Sequence, residues 1–243
     1  LDALRLLQTQ VVEGRYDLGL ATDGDADRIA IVDEQGRYVT VNEILLLVYW
    51  YAHEVRGERG GVVRNLATTH LLDRLARHFG ETYIEVPVGF KHIAAGMVAH
   101  RALLGGESSG GLTLRGHILG KDGIFAAALI VEMLARTGKH VSELLEQIYG
   151  ITGRLYMLEE ALPATPEMRL VVPKRLLETF ADRIGPAPVV RISQMDGIKF
   201  YLTDDNWALV RFSGTEPVLR LFVEADTPTR AHELMAHLKQ GVR

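Results

Sequence analysis

The sequence contains no cysteine, no long apolar run and no excess of positive charge, and each absence excludes a class of protein. Without cysteine there are no disulfides or thiolate metal sites, which is typical of a cytoplasmic protein. The longest apolar run, residues 44–52, is far shorter than the roughly 20 residues that span a bilayer. The net charge of −4 gives no indication of nucleic acid or an anionic membrane as a partner.

The N-terminal segment LDALRLLQTQVVEGR predicts an amphipathic helix, with Leu4, Leu7 and Val11 at helical spacing. It lacks the basic region and apolar block of a signal peptide. Because the chain opens within a predicted helix and without a methionine, we expect it to be a piece of a longer protein.

Strand and helix patterns alternate after the glycines at 57–61, which predicts βαβ units around a largely parallel sheet. After Gly150 the pattern changes to short strands at 189–192, 197–202, 206–211 and 218–224, followed by a helix at 228–240 that Thr227 caps. This second part predicts an α+β unit with a mainly antiparallel sheet, and we place the boundary between residues 150 and 158.

The segment ATDGDADR places Asp23, Asp25 and Asp27 at alternate positions between two predicted strands, 17–21 and 29–33. Three carboxylates at close range repel one another, and a divalent cation removes that repulsion. A turn at Gly24 would let them converge. Oxygen-only ligands favour Mg²⁺, Mn²⁺ or Ca²⁺ over zinc, and Arg28 could pair with an aspartate or a phosphate.

Three other interpretations of this aspartate loop remain open. A calcium EF-hand would begin in the same way, but it needs glycine where Arg28 stands and a helix after the loop. An aspartyl phosphatase would use Asp23 as nucleophile and Asp25 as acid. A solvated acidic turn without metal is the third interpretation.

The segment LLGGESSGGL follows a predicted strand with four glycines around Glu107, Ser108 and Ser109. Glycines let a backbone approach a ligand, and a carboxylate beside a hydroxyl suits sugar hydroxyls, which both donate and accept hydrogen bonds. A flexible surface loop is the alternative.

Two basic side chains lie near these loops in the sequence. His117 precedes Asp122, which predicts the N-cap of a helix, and an ordinary polar contact is the simpler role for His117. Lys91 follows a glycine at a strand-to-helix junction, where open α/β sheets often bind ligands, although it could be an ordinary surface charge.

The segment VRFSGTEPVLR can gather Arg211, the hydroxyls of Ser213 and Thr215, and the backbone N–H groups around Gly214 on one anion. Arg220 would add a second positive charge. The segment lacks the lysine of a nucleotide P-loop, and a hairpin with an exposed arginine is the alternative interpretation.

Together and in this order, the three loops resemble those of the α-D-phosphohexomutase superfamily, the phosphoglucomutases and phosphomannomutases. The resemblance rests on Asp23-Gly24-Asp25-Ala26-Asp27-Arg28, on Gly106-Glu107-Ser108-Ser109, on Arg211 through Pro217 and on the VGFKHI segment with Lys91. It implies a mixed-sheet α/β/α domain followed by a smaller α+β C-terminal domain. Residues 1–40 would be the end of the family's second domain, 41–152 its third and 156–243 its fourth.

The resemblance implies a reaction in which a phosphoserine and a bisphosphate intermediate interconvert hexose 1-phosphate and hexose 6-phosphate, of glucose or mannose. Three kinds of site residue follow from it. Mg²⁺ would bind Asp23, Asp25 and Asp27; catalysis would involve Lys91 and Arg28; the hexose phosphate would bind Glu107, Ser109, His117, Arg211, Ser213, Gly214, Thr215 and Arg220.

The sequence departs from the family in one respect, because it contains no Thr-Ala-Ser-His-Asn-Pro loop with a catalytic serine. We therefore expect the isolated chain to be inactive. Since residues 1–40 would be separated from most of their parent domain, that segment could also exchange between chains and cause self-association.

Overall fold

The computed structural model of the protein describes residues 2–242, which divide after Gly153 into two units. The first unit begins with a 3-10 turn (Asp2–Leu4) that leads into helix α1 (Arg5–Gly14). Val11 is buried and Leu4 and Leu7 are half-buried, so the predicted apolar face is confirmed. An antiparallel sheet follows in the order β1-β2-β3. Its strands are β1 (Leu18–Thr22), β2 (Ile29–Asp33) and β3 (Tyr38–Val39). Among the described strands, β1 pairs with β2 alone and forms one edge of this sheet.

A second sheet of the first unit has the order β5-β4-β6-β7, with β4 parallel to β5 and β6, and β7 antiparallel to β6. The predicted largely parallel sheet is therefore confirmed, with one antiparallel edge strand. Its strands are β4 (Val62–Asn65), β5 (Tyr83–Val86), β6 (Leu104–Gly106) and β7 (Leu112–Leu114).

Helices cover both faces of this second sheet. They are α2 (Val41–Trp50, continued by a π-helical turn at Tyr51–Val55), α3 (Leu71–Phe79), α4 (Phe90–His100), α5 (Gly123–Thr137) and α6 (Val141–Thr152). A Cβ at Gly105 would collide with Met97 of α4, whereas a Cβ at Gly106 would collide with Leu45 of α2. Because successive residues of a strand face opposite sides, α4 and α2 lie on opposite faces.

The apolar run at 44–52 is the buried helix α2 and its continuation. Within residues 2–242, no helix is long and apolar enough to cross a membrane. The sequence suggests Asn42 as the cap of α2, and this prediction is wrong. The helix begins two residues earlier than that cap implies, at Val41, and Thr40 caps it in a capping box with Glu43, which satisfies backbone N–H groups at both positions.

The second unit contains a six-stranded sheet in the order β8-β13-β12-β11-β10-β9, with every pairing antiparallel. The antiparallel character is as predicted. The strands are β8 (Tyr156–Pro163), β9 (Arg183–Ile184), β10 (Ala187–Ser193), β11 (Ile198–Leu202), β12 (Trp207–Phe212) and β13 (Val218–Ala225). The unit also contains the helices α7 (Pro166–Thr179) and α8 (Pro228–Val242).

Helices α7 and α8 pack on one face of this sheet and close an apolar core that includes Leu176, Phe200, Leu221 and Leu238. The cap predicted for α8 is confirmed, because the backbone N–H of Arg230 donates to Thr227 Oγ1 at 3.2 Å. The sequence pattern predicts neither β8 nor α7.

Candidate active site

The aspartate loop is the six-residue connection between β1 and β2, whose last pair is Thr22 with Ile29. Its tightest point is Ala26, which has a φ of +56° and donates its N–H to the Asp23 carbonyl at 3.1 Å. The sequence places the flexible turn at Gly24 instead, but Gly24 does not have a positive φ. The Ala26 conformation is held from outside, because the Ala26 carbonyl accepts the N–H of Gly123 at 2.9 Å.

Two cations neutralise this loop. Arg28 Nε lies 3.7 Å from Asp23 Oδ2 and 3.7 Å from Asp27 Oδ1. Lys121 Nζ contacts Asp27 Oδ2 directly. The hydrogen bond from Lys121 is the main reason that the pKa of Asp27 lies below its ordinary value, and the charges of Lys121 and Arg28 act in the same direction against desolvation.

The donor set of the loop fits a hard divalent cation, since Asp23, Asp25 and Asp27 offer oxygen alone. Asp23 and Asp27 are already neighbours, because Arg28 Nε lies 3.7 Å from a carboxylate oxygen of each. Asp25 is exposed. Within residues 2–242, no three acidic or histidine side chains are gathered closely enough to enclose a metal ion. Asp25 would therefore have to turn toward Asp23 and Asp27 for the three carboxylates to hold one metal ion, whose charge would neutralise theirs.

The glycine-serine loop connects β6 to β7, whose last pair is Gly106 with Leu112. Glu107 is 6% exposed, and donors of the scaffold surround its carboxylate. Oε1 accepts the backbone N–H of Gly89 at 2.8 Å and the side-chain amide of Asn65 at 3.3 Å. Oε2 accepts a hydrogen bond from the hydroxyl of Ser109 at 3.4 Å. One carboxylate oxygen is thus engaged by the scaffold, and the other faces the loop.

These residues lie at the carboxyl edge of the parallel strands, the usual ligand site of open α/β sheets. Asn65 ends β4, and its Oδ1 accepts the N–H of Ala67 and the hydroxyl of Thr68, both at 2.9 Å. Thr68 Oγ1 in turn accepts the N–H of Ser108 at 3.1 Å. The turn after β4 therefore holds the glycine-serine loop in place through the hydrogen bond between Thr68 and Ser108.

Lys91 lies in the first turn of α4, two residues after Gly89, and is exposed. Glu107 holds the N–H of Gly89, so the start of α4 and the glycine-serine loop are tied together at one edge of the sheet. Lys91 and Glu107, which the sequence predicts as site residues, therefore belong to neighbouring segments of the first unit.

His117 contacts the start of α5. Its Nε2 lies 2.9 Å from Asp122 Oδ2, and its ring stacks on Phe125 at 3.8 Å between centroids. Asp122 caps α5 as predicted, since its Oδ1 accepts the N–H of Phe125 at 2.8 Å. That bond, and then the bond with His117, lowers the pKa of Asp122.

The third loop lies in the second unit, between β12 and β13. Ser213 is buried, and its Oγ accepts the N–H groups of Thr215 at 3.3 Å and Glu216 at 3.2 Å. The loop thus curls around the serine hydroxyl, and the surroundings of Gly214 are open.

Carboxylates accompany both arginines of this loop. Arg211 Nε donates to Asp196 Oδ2 at 2.8 Å. Arg220 pairs with Glu159 and with Glu216, each at 2.8 Å. An anion at this loop would therefore meet guanidinium groups that carboxylates already orient.

The sequence motifs do not include the side chains that support these loops: Asn65, Thr68, Lys121 and Asp196. For Lys121 a signal exists, because Lys121-Asp122-Gly123 stands at the start of a helix shortly after the glycine-serine loop. For Asp196 the sequence carries none, since it lies between β10 and β11 while its partner Arg211 lies on β12.

Two family models match the chain. One describes the phosphoglucomutase/phosphomannomutase alpha/beta/alpha domain III and matches residues 40–150. The other describes the C-terminal domain of phosphoglucomutase/phosphomannomutase and matches residues 167–240. Together they cover more than half of the chain, which therefore belongs to the phosphoglucomutase/phosphomannomutase family.

Curated relatives are mutases. A phosphoglucomutase/phosphomannomutase of Thermococcus kodakarensis is 34% identical over 93% of this chain and 46% of its own length. A probable phosphoglucosamine mutase of Methanopyrus kandleri is 36% identical over 93% of this chain and 48% of its own length. The chain thus spans about half the length of the curated relatives it matches.

Solved structures share the fold. A phosphoglucomutase/phosphomannomutase family protein from Burkholderia thailandensis has a TM-score of 0.81 at 21% identity, with 99% of this chain and 49% of that chain covered. Aspergillus fumigatus N-acetylphosphoglucosamine mutase, in complex with GlcNAc-6P and magnesium, has a TM-score of 0.60 at 17% identity. The match covers 92% of this chain and 52% of that chain.

Proposed function

We propose that this chain supplies the metal-, sugar- and phosphate-binding part of a phosphohexomutase. The whole enzyme would interconvert hexose 1-phosphate and hexose 6-phosphate, of glucose or mannose, through a phosphoserine and a bisphosphate intermediate. The observation that carries the proposal is the order of three distinct loops, for metal, sugar and phosphate, on a chain of this family. We assign residues 1–40 to the end of the second family domain, 41–152 to the third and 156–243 to the fourth.

The sugar would bind at Glu107 and Ser109. Glu107 Oε1 is held by Gly89 and Asn65, so the carboxylate is oriented before the substrate arrives. Oε2 and the Ser109 hydroxyl can then accept from and donate to adjacent sugar hydroxyls. We assign His117 to the same substrate and Lys91 to proton transfer or phosphate contact.

The phosphate that does not react would bind at the loop of the second unit. Arg211 and Arg220 supply fixed positive charge, and Ser213, Gly214 and Thr215 supply a hydroxyl pair and open backbone. Because each arginine is already oriented by a carboxylate, little ordering is needed when the phosphate arrives.

Asp23, Asp25 and Asp27 would hold Mg²⁺, a donor set that fits the ion, and Arg28 would lie beside the transferring phosphoryl group. The bound ion would neutralise charge on that group. An N-acetylphosphoglucosamine mutase of the same fold contains magnesium in its crystal structure, which supports this assignment. The phosphoserine itself would come from another part of the enzyme, so we expect the isolated chain to bind but not to turn over.

Phosphorus NMR tests the proposal. The chain alone, with Mg²⁺ and glucose 1-phosphate, should leave the substrate unchanged, whereas calorimetry should detect binding. The protein expressed from the natural gene, extended upstream of Leu1 to include a serine loop, should convert glucose 1-phosphate to glucose 6-phosphate. Release of inorganic phosphate would indicate a phosphatase instead. Binding without turnover in the natural full-length protein would indicate a non-catalytic sugar-phosphate-binding protein.

The amino sugar is a second candidate substrate, because several relatives, including the one from Methanopyrus kandleri, bear the name of phosphoglucosamine mutases. Glucosamine 6-phosphate carries an ammonium where glucose carries a hydroxyl. The same NMR assay with glucosamine 6-phosphate, glucose 6-phosphate and mannose 6-phosphate would rank the three by kcat/KM.

A further inference from the structure

Lys121 lies between the aspartate loop and the glycine-serine loop of the first unit. Its aliphatic stem crosses Gly111, where an added Cβ would collide with Lys121 Cγ and Cδ. Its ammonium contacts Asp27 Oδ2. The side chains of Lys121 and Asp27 are 23% and 29% exposed, so the pair is half-buried and still reached by water.

The backbone around Lys121 is also fixed to the aspartate loop. The N–H of Gly123 donates to the Ala26 carbonyl at 2.9 Å, and a Cβ at Gly123 would lie 2.6 Å from the Arg28 carbonyl oxygen. The start of α5 is therefore packed directly against the aspartate loop. Lys121 reaches Asp27 from this fixed base, with its stem confined by Gly111.

The charges around Asp27 show what the contact does. Asp23 is a neighbouring carboxylate, and Arg28 Nε lies 3.7 Å from both acids, too far for a direct hydrogen bond. Lys121 is thus the cation in direct contact with Asp27. Its ammonium thus engages one of the carboxylate oxygens that the aspartate loop could offer to a metal ion.

We propose that Lys121 is the internal counter-ion of the metal loop. Its ammonium neutralises Asp27 in the metal-free protein and releases that carboxylate when Mg²⁺ binds. This inference rests on the proposed function, since it takes Asp27 as a ligand of the metal. Two cations on one carboxylate repel each other, so Mg²⁺ on Asp27 weakens the contact between Lys121 and Asp27 Oδ2.

Two consequences follow. First, the free energy of the Lys121–Asp27 pair is subtracted from that of Mg²⁺ binding, which weakens the measured affinity. Second, in the metal-free protein the pair limits repulsion among the aspartates and so stabilises the conformation of the aspartate loop.

The test compares Mg²⁺ binding to the 243-residue chain and to Lys121→Met, which keeps an unbranched stem over Gly111 but removes the charge. Isothermal titration with MgCl₂ should show Mg²⁺ binding about two- to fivefold more tightly to the variant, the range expected for loss of a partly exposed ion pair. Without metal the variant should have a lower Tm, and in saturating Mg²⁺ the two proteins should have the same Tm.

Two further variants serve as controls. Lys174→Met removes the same charge from an exposed position on α7 and should leave Mg²⁺ affinity unchanged. Lys121→Gln is a second neutral variant, in case the methionine variant does not fold by circular dichroism, and should also bind Mg²⁺ more tightly.

An unchanged or weaker Mg²⁺ affinity in both neutral variants would overturn the inference while leaving the proposed function intact. If neither wild type nor variant bound Mg²⁺ at millimolar concentration, the magnesium assignment itself would be wrong, and this inference would be wrong with it.

Discussion

Glu107 uses its two carboxylate oxygens differently, and this difference predicts the effect of a single substitution. In Glu107→Gln the side-chain carbonyl can still accept from Gly89 and Asn65, so the free energy of unfolding should change by less than about 1 kcal/mol. The new amide would replace Oε2, the acceptor for sugar hydroxyls. Calorimetry should therefore show at least about a tenfold loss of affinity for glucose 1-phosphate.

Glu13→Gln is a suitable control for this substitution, because Glu13 is an exposed residue of α1. It should change neither stability nor affinity. If Glu107→Gln bound the sugar phosphate as well as the wild type does, Glu107 would be a structural residue only.

Glu43 links the β2–β3 hairpin to α2 and α6, and this link predicts a pH dependence. Burial raises the pKa of Glu43, but hydrogen bonds from the Thr40 backbone and Tyr149, with the charge of Arg37, outweigh it and hold the pKa below the ordinary 4.5. A lowered folded pKa stabilises the protein above pH 4.5, and this stabilisation is lost as pH falls through the folded value.

Urea unfolding at several pH values checks this prediction. At pH 7, the free energy of unfolding of Glu43→Gln should be about 1–2 kcal/mol lower than that of the wild type. Toward pH 3 the difference between the two proteins should shrink, because protonated Glu43 resembles the glutamine. A difference that is independent of pH would contradict the assigned charge interaction.

The start of α5 packs against the aspartate loop so closely that position 123 requires glycine. A Cβ there would lie 2.6 Å from the Arg28 carbonyl oxygen and 2.9 Å from that of Ala26. Gly123→Ala should therefore lower the free energy of unfolding by about 1–3 kcal/mol in urea titrations.

Gly150→Ala provides the matched control. Gly150 lies within α6 with no atom within 4 Å of an added Cβ, so alanine should be neutral or stabilising by up to about 1 kcal/mol. Equal effects of the two substitutions would show that the contact between Gly123 and the loop contributes nothing to stability.

The sequence predicts those elements whose pattern repeats locally. The alternation of strands and helices from β4 to α6 is such a pattern, and the structure confirms it. The sequence does not predict helix α7, because Pro173 lies inside it and its apolar residues do not form a clear stripe. The sequence does not predict strand β8 either. Its side chains alternate in exposure only because it pairs with β13, and that partner lies far away in the sequence.

At the candidate site, the sequence predicts ligand groups but not their partners. The chemistry and motifs of Glu107 and Asp27 mark them as ligand groups, while only the fold brings Asn65 and Lys121 to them. The conformation of Ala26 could not be predicted either, because a non-glycine residue adopts a positive φ only where tertiary contacts hold it. The local sequence pattern therefore identifies the loops, whereas long-range packing determines their backbone conformation and the partners of their side chains.

The second unit has a sheet, two helices and an apolar core of its own. Residues 154–243 expressed alone should therefore fold, in the size range in which single domains are stable. We expect dispersed amide signals by NMR and one cooperative transition in urea. A non-cooperative transition with collapsed signals would show that this core is insufficient by itself.

Strand β1 has a consequence for handling the chain in solution. Its sequence, LGLAT, carries no charge and no proline, and among the described strands it pairs on one side only. An edge of this kind offers a row of backbone donors and acceptors to any other extended chain. Concentrated samples are therefore expected to associate by adding strand to strand at β1, and a lysine introduced in place of Leu20 should suppress that aggregation.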